Sequence, residues 1–320
     1  MAIAHSSGGV SDRALHRLVV AMAAGLALLL TAFVVVYYLG QRSSSGPTLT
    51  ERQVASAEAA VKANPNDLSL RLQLAASYRS NRQYSDALAQ YDELLRVGPT
   101  NRSSLVGKGE TQMDMGDLAG AMTTLQKVTG AKMTWTYEAV DPQLEKAFYD
   151  LGSISAKQGN GAEAVAYLMA ALKIDSTDAD ALYLLGTTQL KSDDANAAIN
   201  SLKQAVLFVP TGWADPYTAM SQAYTKLGKQ PEATYASAMA AFCNGDLDTS
   251  KNQLASLTST SVKVDAMLGL GMIAEKVNDN ATAVSWYTRV LKARPGDFTA
   301  TSGLSRLNAV PSAAPSAKKA

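Results

Sequence analysis

Apolar side chains follow two regimes along this chain. From Leu18 to Leu39 they run without a charged residue (LVVAMAAGLALLLTAFVVVYYL), whereas from about Thr50 to Asn308 they recur at helical spacing between polar faces and short turns. A helix needs roughly 20 apolar residues to cross about 30 Å of hydrocarbon, so the first run predicts a transmembrane helix over 18–39. A cleaved leader would carry a shorter apolar stretch and a small-residue cleavage site. Tyr37-Tyr38-Leu39-Gly40-Gln41-Arg42 offers no such site, and the tyrosine pair fits an interfacial belt. Residues 1–17 then form an N-terminal tail and 40–49 a linker, with Ser43-Ser44-Ser45-Gly46-Pro47 as its flexible part. Arg13 and Arg17 on one side balance Arg42 and Arg52 on the other. Because Arg17 abuts the apolar run behind a short tail, the expected topology is a single-pass membrane protein with its N-terminus inside and the rest extracytoplasmic.

The second regime repeats itself. Leu151-Gly152 returns as Leu185-Gly186, Ala164 as Ala198 and Ala171 as Ala205, each at an interval of 34. Looser copies carry Leu74, Ala75, Tyr78, Ala87, Tyr91 and Pro99, and again Leu270, Gly271, Ala283, Tyr287 and Pro295. Proline after each second helix, at Pro99, Pro210 and Pro295, stands where a helix cannot continue. Small residues in paired helices let two backbones approach while larger ones fill the space between them. The expected units are 68–101, 102–135, 145–178, 179–212, 214–247 and 264–297. A half-unit at 50–63 and a helix at 298–308 close the ends, within a repeat domain spanning 50–308. Gly109 to Gly152 is 43 residues, nine more than one repeat, and residues 248–263 are a second insertion with room for a short helix. Thr50-Glu51-Arg52-Gln53 has the form of a capping box, and Asp141-Pro142 and Asp215-Pro216 each read as an N-cap with proline behind it. Residues 309–320 (VPSAAPSAKKA after Ala309) form a tail without apolar periodicity, expected to be disordered.

This pattern resembles the tetratricopeptide repeat, in which Trp, Leu-Gly, Tyr, Ala, Phe and Pro recur at fixed offsets. The resemblance implies an all-α, right-handed α-solenoid of about six helical hairpins whose neighbours stack because no single unit buries its own face. In that family the working surface is a groove lined by the first helices. Transferred residue by residue, the groove positions include Arg79, Glu110, Met113, Tyr149, Ser153, Tyr183, Thr187, Thr218 and Gln222, with Lys146, Asp180 and Asp215 at equivalent positions nearer the helix starts. Members that grip a carboxylate-terminated peptide carry Lys and Asn where this chain has Leu72 and Ala76, which places that role in doubt. The groove reads as mixed, with two tyrosines, hydroxyls and few charges, suited to an extended or helical peptide. Tyr149 and Tyr183 are equally readable as packing between neighbouring units. Trp135 and Tyr137, in the first insertion, are further candidates.

Composition narrows the chemistry. With 29 basic and 28 acidic residues the chain is near neutral and shows no basic stripe for nucleic acid. Both histidines, His5 and His16, precede the apolar run, so the repeat region holds none, and Cys243 is the single cysteine. Histidine-based nucleophile pairs, histidine–zinc sites and disulfides are thereby removed from it. Gly269-x-Gly271-x-x-Ala274 falls inside a first helix rather than at a strand-to-helix turn, so it reads as packing and not as a dinucleotide fingerprint. Gly107-Lys108-Gly109 lacks the hydroxyl residue a phosphate loop needs. Asp114, Asp117, Asp193, Asp194, Asp246 and Asp248 sit in turns, where aspartate caps and bends the chain. The expectation is a non-enzyme without metal or cofactor: a membrane-anchored scaffold or adaptor that binds protein or peptide partners and supports assembly of a cell-envelope or membrane complex. The alternative is a structural component that self-associates through its repeat faces.

Overall fold

The computed structural model describes residues 12–44, 46–130, 141–208 and 212–307, with backbone alone for 12–19, 21 and 38–44. Trp135, Tyr137, Pro210, the tail from 309 to 320 and most of the N-terminal tail lie outside the described residues. Those that are described form helices and no strand. They divide into two compact units, Met1–Gln90 and Tyr91–Ala320.

In the first unit lie α1 (Asp12–Ser44), α2 (Leu49–Ala63), α3 (Leu68–Ser80) and the first half of α4 (Tyr84–Val97). Among the described residues no helix is long and apolar enough to cross a membrane. This corrects the expectation of a transmembrane helix over 18–39, and with it the single-pass topology and the extracytoplasmic repeat domain. A second correction concerns α2. Its capping box is Thr48 with Glu51, not Thr50 with Gln53: Glu51 N–H donates to Thr48 Oγ1 at 3.2 Å and Thr48 N–H to Glu51 Oε2 at 2.7 Å. Tyr78 on α3 donates to Glu58 on α2 at 2.7 Å, and that bond, with burial, lifts the phenol to about 12.

The second unit is a series of helical hairpins: α5 (Arg102–Asp114) with α6 (Leu118–Thr129), α7 (Pro142–Lys157) with α8 (Gly161–Ile174), α9 (Ala179–Lys191) with α10 (Ala195–Phe208), α11 (Asp215–Lys226) with α12 (Gln230–Cys243), and α14 (Lys263–Lys276) with α15 (Asn280–Ala293). A short α13 (Leu247–Ser256) fills the second insertion between α12 and α14, and α16 (Phe298–Arg306) closes the end against α15 and α14. Each helix packs on its sequence neighbours, as expected of a solenoid.

The same turn closes the hairpins. The second residue past each first helix is left-handed, and the N–H beyond it reaches back to a carbonyl five residues earlier: Asn160 N–H to Ser155 O at 2.9 Å and Asp194 N–H to Gln189 O at 2.9 Å. This is the Schellman bond, which satisfies an otherwise orphaned carbonyl. Gly159 takes the left-handed residue (φ 81°) without steric cost, while Asp193 takes it with φ 65°. Across the hairpin, the glycine of the first helix sits under a large side chain 16 positions on. A methyl built on Gly152 would lie 2.7 Å from Leu168 Cγ, on Gly186 2.6 Å from Leu202 Cγ, and on Gly271 2.7 Å from the Tyr287 ring. Backbones meet closely there, and Leu168, Leu202 and Tyr287 are fully buried as a result. Gly271 within the Gly-x-Gly-x-x-Ala string is thus a packing contact inside α14.

Candidate functional site

First helices α5, α7, α9 and α11 are neighbours in turn, α5 against α7, α7 against α9 and α9 against α11. The row then stops. α14 meets α12 and α13 but not α11, because the short inserted helix takes up the interval. The groove positions of the last hairpin, Asp265 to Glu275, therefore do not continue the face that α5 to α11 build.

The nine sequence candidates divide accordingly. Arg79 lies on α3 in the first unit and is half-buried. On α5, Glu110 is tied to Lys146 of α7 at 2.7 Å, and Met113 packs against the cluster of Leu105, Val106 and Leu125. Tyr149 and Ser153 on α7 are half-buried. Tyr149 leans on Phe148, Ala170 and Ala171, and Tyr183 on the core that α9 shares with α11. Each ring is thus partly engaged in packing and partly at the surface. Thr187 and Thr218 donate their hydroxyls to carbonyls of their own helices at 3.0 and 3.1 Å, leaving their oxygens as acceptors. Gln222 is exposed.

Three features of the face differ from the sequence expectation. Trp213, ahead of α11, meets Tyr183 edge-on with ring centres 5.0 Å apart. The tryptophan before Asp215-Pro216 was the available signal. Carboxylates are also more numerous than the mixed, weakly charged groove expected. Burial, then Asp180, Asp178 and Asp150, raise the Tyr149 phenol against the pull of Lys146; burial and Asp215 raise that of Tyr183. Finally, Asp215 is not the cap the sequence predicts. It is the first residue of α11, and Ala214 stands at the N-cap with no side-chain bond.

Glu145 on α7 lies against Asp178, the cap of α9, and an ionised Glu145 would leave its buried Oε1 without a hydrogen-bond donor. Burial, then the hydrogen bond to Asp178 and the charges of Asp178 and Asp175, push Glu145 up to about 7, with Lys146 opposing. A protonated Glu145 donates to Asp178 and resolves the conflict. The unfolded chain ionises this group near 4.5 while the fold keeps the proton to about 7. Stability is unaffected below 4.5, falls as pH rises to about 7, and stays lowered above. Because the group is partly exposed, solvent screening limits the penalty. Glu145→Gln is expected to add about 1 kcal/mol at pH 8 and nothing at pH 4, read from urea midpoints at the two values.

A hollow of about 910 Å³ lies elsewhere, lined by Thr123, Gln126 and Lys127 of α6 and Glu163, Ala166 and Tyr167 of α8. Cys243 is a free, partly buried thiol. Among the described residues no group of side chains could hold a metal ion.

Comparison with known proteins decides the family. A tetratricopeptide-repeat model matches residues 155–223, and a second model of the same description matches 72–134 and 228–298, together more than half of the chain. The chain belongs to the tetratricopeptide-repeat family. A curated relative, the CTR9 homolog of Arabidopsis thaliana, is 28% identical over 143 residues, 43% of this chain. The chain spans only 12% of that relative's length. Among solved structures it is similar to MamA (24% identity, 54% of this chain and 95% of that one, TM-score 0.48). MamA of Desulfovibrio magneticus RS-1 is another such match (18%, 57% and 98%, 0.49), as is YrrB, whose structure is described as a tetratricopeptide protein with an unusual peptide-binding site (18%, 62% and 97%, 0.49). No partner follows from these likenesses.

Proposed function

We propose that this chain is a non-catalytic interaction scaffold that holds an extended segment of a partner protein across α5, α7, α9 and α11. One observation carries the reading: Tyr149 and Tyr183 stand one repeat apart on adjoining helices, each half-exposed, with Trp213 edge-on to the second. Rigid aromatic rings give large contact area at little entropic cost, and the hydroxyls of Ser153 and Thr187 lie further along the same two helices, with that of Thr218 on α11. The link to a membrane or envelope complex rested on the membrane anchor and has no place in the proposal. The Tyr149→Ala/Tyr183→Ala variant is expected to keep its helical circular dichroism and to bind a partner peptide about tenfold more weakly in isothermal titration. Unchanged affinity in that folded variant would remove the groove from consideration. A second reading, self-association through the end of the array, is favoured by Phe298, 82% exposed at the start of α16. Light scattering over a range of protein concentrations separates the two.

A further inference from the structure

We infer that the segment held on this face is basic: an extended peptide whose lysine or arginine side chains lie over Tyr149, Tyr183 and Trp213 and reach Asp180 and Asp215. The inference deepens the scaffold reading and rests on it.

Its basis is how the carboxylates of the first helices are employed. Glu110 is neutralised by Lys146 at 2.7 Å, Asp265 by Arg294 at 2.8 Å and Glu275 by Arg306 at 2.6 Å. Asp180 and Asp215 break this pattern. Both are exposed, and neither has a cationic partner among the described residues. Nor are they occupied as helix caps. Asp178 caps α9, accepting from the N–H groups of Asp180 and Ala181 at 2.9 and 3.2 Å, so Asp180 is one carboxylate more than the helix start requires. At α11 the cap position is Ala214, and Asp215 follows it without a capping bond.

Asp180 stands three residues before Tyr183 on α9, and Asp215 two residues after Trp213 at the start of α11, which sets both carboxylates beside aromatic positions. Asp180 lies close enough to Tyr149, and Asp215 to Tyr183, for each charge to bear on the neighbouring phenol. A ring face beside an anion attracts a cationic side chain twice, through the ring quadrupole and through a charge-assisted hydrogen bond. Lys146, the basic group near this stretch, is already engaged by Glu110. A carboxylate-rich or phosphorylated segment would meet like charge at Asp178, Asp180 and Asp215 with nothing to receive it. Charge complementarity therefore selects a basic occupant.

Full-length protein titrated with three fluorescein-labelled peptides of equal length tests this by fluorescence anisotropy. One alternates Lys and Arg with Ser and Ala; in the others Gln or Glu replaces every basic residue. The basic peptide is expected to bind about tenfold more tightly than the Gln peptide at low salt, with the advantage shrinking as salt rises, and the Glu peptide most weakly. Asp180→Asn/Asp215→Asn should bring the basic peptide down to the level of the Gln peptide without moving the melting midpoint. Asp248→Asn, an exposed carboxylate on α13, should leave all three unchanged. Equal affinity for the three peptides, or a basic peptide indifferent to the double Asn variant, overturns the charge preference. If Tyr149→Ala/Tyr183→Ala still weakens binding about tenfold in that case, the groove reading survives alone. If it leaves every affinity intact, the groove itself is the wrong surface.

Discussion

Tyr287→Ala is expected to cost about 3–5 kcal/mol, the largest single loss in the second unit. The ring is 0% exposed and wedged between two first-helix-like partners, with Gly271 of α14 under one edge and Gly303 of α16 under the other. Its hydroxyl donates to Glu275 Oε2 at 2.6 Å, and the same carboxylate accepts from Arg306 Nε at 2.6 Å and Nη2 at 2.9 Å. Alanine removes both the filler and the anchor of that chain, leaving a cavity lined by backbone that cannot close around it. Phenylalanine keeps the filler and should cost only about 1–2 kcal/mol. Because stability in a repeat array is local, native-state hydrogen exchange is the measurement. Amides of α15 and α16 should exchange far faster in the Ala variant while those of α7 and α8 hold their protection. Uniform acceleration along the whole unit, or none, would contradict the packing described for this end.

Valine at Gly186 should cost about 1–3 kcal/mol, although a helix interior ordinarily gains from losing a glycine. The gain fails here for a geometric reason. The added Cβ would stand 2.6 Å from Leu202 Cγ and 3.2 Å from the Ala198 carbonyl oxygen, and neither a branch carbon nor a backbone oxygen can swing aside. Gly152 repeats the arrangement with Leu168 at 2.7 Å and Ala164 O at 3.4 Å, so Gly152→Val should behave alike. Trimming the opposing side chain tests the cause. Gly186→Val/Leu202→Ala should be less unstable than the sum of its parts, with a coupling of about 1–2 kcal/mol in urea denaturation. Additive losses would mean that the two residues do not share one space.

Much of the architecture is legible in the chain before any coordinates. Leu151-Gly152 and Leu185-Gly186 at one interval, with Ala164 and Ala198 following, mark paired helices, since only small residues at that spacing allow two backbones to meet. Asp141 before Pro142 was legible too, and it caps α7 by accepting from the N–H groups of Gln143 and Leu144. Of the candidate face, Tyr149 and Tyr183 were found because they occupy equivalent positions in consecutive repeats. Trp213 was visible only as a tryptophan near a helix start, because its contact with Tyr183 spans two hairpins. The expected span over 18–39 shows the opposite failure: apolar content alone indicated an anchor, and among the described residues no helix meets the length and apolarity needed.

What the sequence by itself determined is everything that repeats or is local: the helical period, the hairpin unit, the small residues at close approaches, the turn aspartates and the lack of histidine chemistry in the repeat region. These depend on residues within one unit, and one unit lies within reach of pattern. Tertiary structure alone decided which first helices adjoin, that α13 ends the row after α11, and that Arg294 and Arg306 neutralise Asp265 and Glu275 while Asp180 and Asp215 have no cationic partner among the described residues. Those ion pairs join residues about 30 positions apart, Asp265 to Arg294 across the last hairpin and Glu275 to Arg306 between α14 and α16. Pairing of charges depends on distance in space, to which a repeat period gives no measure.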